Sequence, residues 1–81
     1  MQTYKYHPEQ FVGVGFLAED LRNYYHALAT YKSDDCFSNR VEYLNAWETL
    51  FFSIKHRELD GVLSPELAAE LKTYMEELAC D

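Results

Sequence analysis

The sequence is poor in residues that make tight turns, with three Gly and two Pro in 81 positions. That scarcity excludes β-sandwiches and barrels, which need turn signals about every ten residues. No apolar run approaches the roughly 18 residues of a membrane span. Met1-Gln2-Thr3-Tyr4-Lys5 lacks the apolar core of a secretion signal, so the expected location is the cytoplasm, with no membrane partner. Only two cysteines are present, Cys36 and Cys80, in neither a CxxC nor a zinc-finger spacing. Reduced thiols are the reading that fits that compartment. Basic residues are also scarce: seven Lys and Arg stand against fourteen Asp and Glu, for a net charge of −7. Direct binding to nucleic acid is excluded on that ground, because phosphates are neutralised by Lys and Arg.

Motifs for chemistry are equally thin. Val12-Gly13-Val14-Gly15 lacks a further glycine, a Walker lysine and a preceding strand, so it reads as helix packing and not as a phosphate loop. Paired Glu-x-x-His, the metal motif of helical bundles, is missing: Asn23 stands three before His26 and Ser53 three before His56, while His7 lies near the N-terminus. Cys36, Cys80 and His26 would approach one end of a bundle, but no local motif makes a nucleophile and base of them. The expectation is a protein without metal, cofactor or enzymatic activity, with little room for a ligand pocket.

The residues that are abundant spell helices. Residues 1–7 read as an extended arm that packs on the helices, since one isolated strand has nothing to pair with. From Phe11 the apolar spacing is helical: Val14, Ala18, Leu21, Tyr25 and Leu28 follow on one face, widened by Leu17, Tyr24 and Tyr31. This predicts a first helix over about 8–31, with Gly13 and Gly15 allowing a start nearer Phe16. A second helix, about 36–59, is capped by Ser33, Asp34 or Ser38. Its wide apolar face comprises Phe37, Val41, Leu44, Trp47, Leu50, Phe51 and Ile54, with Tyr43 and Phe52 at the margins. Trp47, in the middle of that face, is expected to be mostly buried. Asp60-Gly61 supplies a left-handed stop, and Ser64-Pro65-Glu66 restarts a third helix over about 65–79 with Leu67, Leu71, Tyr74, Met75 and Leu78 inward. The predicted fold is all-α, a small antiparallel three-helix bundle in a single domain, 8–81. Two of its helices carry apolar arcs near half the wheel or wider, more than three short helices can bury, which predicts completion by a homodimer.

Two features point to function. Residues 58–81 hold seven acids against Lys72 alone, whereas residues 1–57 are nearly neutral. Glu66, Glu70 and Glu77 fall on one stripe of the third helix, spaced about 6 Å per turn, close to the phosphate repeat of a nucleic acid strand. The other feature is an aromatic excess of seven Tyr, five Phe and one Trp, residue types that anchor interfaces. Tyr4, Tyr6, Val12, Phe16 and Phe52 are not obviously covered by three helices.

The function expected from these features is that of a small acidic protein-binding module. It would inhibit or modulate a partner with a basic, nucleic-acid-handling surface, as immunity proteins and phage or mobile-element anti-defence proteins do. The candidate contacts are Glu66, Glu70, Glu77, Phe16, Val12, Tyr4 and Tyr6. The alternatives are a structural homodimeric subunit, in which the acids only solubilise, and a small-ligand binder.

Overall fold

The computed structural model describes residues 4–80. Its elements are a 3-10 helix, Pro8–Phe11, and three α-helices: α1 Leu17–Ser33, α2 Phe37–Leu59 and α3 Pro65–Cys80. No strand occurs among the described residues. Gly15 abuts Arg57 at one end of α1 while Tyr31 stacks on Tyr43 at the other, so α1 and α2 run antiparallel. Lys72 meets Glu58, and Trp47 shares a groove with Glu76 and Ala79, so α3 runs back along α2. The bundle is therefore up-down-up. The first three residues of the expected arm, and Asp81, lie outside the described residues.

Local chemistry sets the element ends. A continuous helix from Pro8 does not form. Gly13 and Gly15 sit at φ 89° and 57°, left-handed values that an α-helix interior does not contain. The resulting double turn buries Phe11 and leaves Val12 and Phe16 outside. A Cβ on Gly15 would lie 2.6 Å from Arg57 Nη1, so this glycine also leaves room for the Arg57 side chain. The last turn of α2 closes with a full Schellman pattern: the Val62 N–H donates to Arg57 O at 3.0 Å and the Gly61 N–H to Glu58 O at 3.1 Å. Ser64 caps α3 as expected, its Oγ accepting from the Leu67 N–H at 3.2 Å. The start of α2 differs from expectation. Its N-cap is Cys36, with no side-chain cap bond, and neither Ser33, Asp34 nor Ser38 fills that position. Asn39 instead turns back to hydrogen-bond Asp34 O at 2.8 Å.

The core is built from Leu17, Leu21, Tyr24 and Leu28 of α1, Leu50 and Ile54 of α2, and Ala68, Leu71, Met75 and Leu78 of α3. Phe11 and Tyr6 close one side of it. All seven tyrosines take part in one internal array. Tyr4 stacks on Tyr25 with ring centroids 3.8 Å apart, and Tyr31 on Tyr43 at 5.2 Å. Tyr24 lies between Tyr25 and Tyr43, and Tyr6 meets the edge of Tyr74. Two phenols also satisfy backbone carbonyls, Tyr25 Oη donating to Tyr6 O at 2.6 Å and Tyr24 Oη to Met75 O at 3.2 Å.

The wide apolar face of α2 is covered only in part. Tyr43, Leu50 and Ile54 are buried, and Phe51 is half-buried. Phe37, Val41, Leu44 and Phe52 are exposed, Phe37 at 80%. Trp47 is partly buried against the core, in line with the expectation that most of it is covered, and stacks on Phe51 at 5.3 Å. The rest of the face is open because α1 and α3 occupy adjacent sides of α2, and two neighbours cover little more than half a helix. A partly buried Trp loses less on truncation than a fully buried one. Trp47→Ala is expected to remain folded and to lose about 2 kcal/mol in chemical denaturation, below the 3–5 kcal/mol range of core aromatics; a molten variant by near-UV circular dichroism would contradict this placement.

Burial raises the pKa of Tyr24 and Tyr25 far above the ordinary value of 10.0 and also raises that of Tyr4; Tyr6 is raised chiefly by its hydrogen bond to Glu70. Below pH 10 these phenols are protonated in both folded and unfolded chains, so stability is constant in that respect. Above pH 10 the unfolded chain loses protons that the fold retains, and stability falls by about 1.4 kcal/mol per pH unit for each retained phenol. A steep drop in melting temperature above pH 10, with tyrosinate absorbance appearing together with unfolding, is the expected result.

Candidate protein-interaction surfaces

The interior offers no ligand chamber. The enclosed space among Leu17, Tyr24, Leu50 and Met75 is about 10 Å³, room for one water at most. No group of three or more His, Cys, Asp or Glu among the described residues is placed to hold a metal ion. Cys36 is a half-buried free thiol. What the molecule presents is surface, of two kinds.

The acidic surface is on α3. Ser64, Pro65 and Glu66 form its first turn, and the 3.6-residue repeat carries Glu66 to Glu70, Thr73 and Glu77 along one ridge. All four side chains are exposed. The ridge borders an open groove of about 230 Å³ lined by Lys5, Glu70, Thr73, Tyr74 and Glu77. Glu70 is engaged: its Oε2 accepts from the Tyr6 phenol at 2.8 Å. The Lys5 N–H donates to Tyr74 Oη at 2.8 Å, which lays the arm along this side of α3. Lys72 is tied elsewhere, to Glu58 Oε1 at 3.3 Å and over the Phe51 ring at 5.5 Å.

Tyr6 and Tyr4 do not stand uncovered. Tyr6 is buried at 9% exposure and Tyr4 is half-buried on Tyr25. Their rings are spent inside the chain because the arm folds over the gap between α1 and α3. Of the aromatic excess that suggested an interface, the tyrosine share is internal packing.

The apolar surface is the other kind. Val12 and Phe16, at 73% and 75% exposure, stand out from the double-glycine turn, which turns them away from Phe11. Phe16 and Phe52 face each other across an open groove of about 290 Å³ that also includes His56 and Arg57. A second groove, about 490 Å³, runs between α2 and α3 along Tyr43, Leu44, Trp47, Glu76 and Ala79.

Sequence reasoning put Phe37, Val41 and Leu44 on an apolar face too wide for three helices to bury, but did not name them among the contact residues. The available signal was the width of the α2 apolar arc, which exceeds what two neighbouring helices cover.

No protein-family model, no curated protein and no solved structure matches this chain.

Proposed function

We propose that this chain is a non-catalytic protein-binding module of the cytoplasm that docks the Glu66–Glu70–Glu77 ridge on a basic surface of another protein and so inhibits or modulates it. The observation that carries the reading is the ridge: three carboxylates at helical spacing, all exposed, on the segment that holds nearly all of the chain's net charge. A line of exposed carboxylates fits a partner that handles nucleic acid, since such proteins carry large basic surfaces. An inhibitor of the immunity or anti-defence kind would act in this way, occupying a nucleic-acid site. The acids would steer the encounter, while apolar residues such as Phe16 and Val12 would supply affinity.

Self-association is a second reading, favoured by a different observation, the uncovered apolar side of α2. The two are compatible, because ridge and apolar side lie on different helices.

The test of the ridge compares wild type, a Glu66→Gln/Glu70→Gln/Glu77→Gln variant and a charge-matched Glu9→Gln/Glu19→Gln/Glu42→Gln control. Gln at position 70 still accepts from the Tyr6 phenol, so the fold is expected to hold within tenths of a kcal/mol per site. Capture of a basic protein that wild type and control share, that the ridge variant loses, and that weakens steeply with salt is the expected outcome. Equal loss by ridge variant and control would reduce the ridge to a solubilising surface.

A further inference from the structure

Resting on the self-association reading, the geometry points to a specific partner for α2: a second copy of this chain, antiparallel, in a register set by Glu48 and Lys55. The exposed apolar positions of α2 form a narrow stripe, flanked by a polar exposed side that carries Asn45, Thr49 and His56. Phe37, Val41, Leu44, Phe52 and Leu59 are its apolar members, all exposed, with Leu59 at 76%. Glu48 and Lys55 fill the two remaining places and are also exposed. At 100° per residue these seven positions fall within an arc of about 80°. Their spacing repeats over eleven residues (Phe37 to Glu48 to Leu59), so the stripe runs nearly straight along the helix. α1 covers the Ala46–Leu50–Arg57 side and α3 the Trp47–Phe51–Glu58 side; the stripe occupies the part of the uncovered arc nearer α3, and exposed Asn45, Thr49 and His56 occupy the part nearer α1.

The two charges are what choose the occupant. Neither Glu48 nor Lys55 has an ion-pair partner among the described residues; the ion pairs there join Arg40 to Asp35, Arg57 to Asp60 and Lys72 to Glu58. The two lie seven positions apart, about 10 Å along the axis, too far to pair within the helix. A parallel second copy would set Glu48 against Glu48 and Lys55 against Lys55. An antiparallel copy centred on Glu48 would press two carboxylates together on the two-fold axis. Centring the axis beside Phe52 instead places Glu48 opposite Lys55 of the second copy, and Lys55 opposite its Glu48. The same register sets Leu44 opposite Leu59, Phe52 against Phe52 at the axis, and Val41 toward the exposed Val62 just past the Gly61 turn. Every exposed apolar residue from Val41 to Val62 then meets an apolar residue, and each charge meets its opposite, as a two-fold interface requires.

Phe16, across the groove from Phe52, lies at the rim of this contact and adds to the area it covers. A helix-on-helix contact of this length, with its rims, sits near the lower bound of about 1,200 Å² for specific interfaces, the size class that includes weak and transient contacts.

The experiment is sedimentation equilibrium of the full chain from 1 to 200 µM (roughly the span a weak dimer of that size needs), with far-UV melts confirming that each variant is folded. Wild type is expected to pass from monomer to dimer. Glu48→Lys and Lys55→Glu, each of which sets like charges opposite one another, are expected to weaken association about tenfold or more. The doubly exchanged Glu48→Lys/Lys55→Glu chain is expected to regain wild-type association. A wild-type dimer that neither single variant weakens, or a double exchange that fails to restore it, overturns this register while leaving self-association standing. A wild type that stays monomeric throughout overturns both.

Discussion

The hydrogen bond from the Tyr25 phenol to the Tyr6 carbonyl is the contact on which the rest of the packing depends. It satisfies a backbone acceptor in a segment with no strand or α-helix to pair with. By doing so it fixes the arm over the gap between α1 and α3, where Tyr6 and Phe11 complete the core. Without it the arm would leave a buried carbonyl unpaired or swing away and uncover Tyr25 and Tyr74. A bundle of three short helices has little core to spare. The arm adds two aromatic rings to it, together with the Tyr4–Tyr25 stack.

Much of the fold was legible in the residues, for identifiable reasons. The Asp60-Gly61 stop and the Ser64-Pro65 start are short-range chemistry, each acting through bonds of three to five residues, and both appear as read. The buried stripes of α1 and α3 also follow, since each of these helices packs through a single face. The first helix was harder. Apolar periodicity continues through Phe11 and Val14, while the backbone at Gly13 and Gly15 leaves the helical region. Periodicity reports which residues want burial, not whether the chain between them is helical.

The surface was less legible, because exposure depends on what the other helices leave uncovered. Glu66, Glu70 and Glu77 were readable, since a polar ridge on an amphipathic helix faces water in nearly any packing. The apolar side of α2 was readable only in part. The width of the arc already says that part of it stays uncovered, but only the positions of α1 and α3 show that the uncovered part is Phe37, Val41 and Leu44. Tyr4 and Tyr6 are legible both as candidate contacts and as part of an arm that packs on the helices; the packing holds, and it is what removes the two rings from the surface.

The bond from the Tyr6 phenol to Glu70 Oε2 has a consequence for the acidic ridge. One oxygen serves both the closure of the arm and the field that the ridge presents. A carboxylate can accept from more than one donor, but a guanidinium or ammonium group that took the phenol's place on this oxygen would cost the arm one of its anchors. Occupancy of the ridge and docking of the arm are then thermodynamically linked, each weakening the other by the same factor. The ridge is in that sense a loaded latch, with the chain's own phenol as its resident competitor.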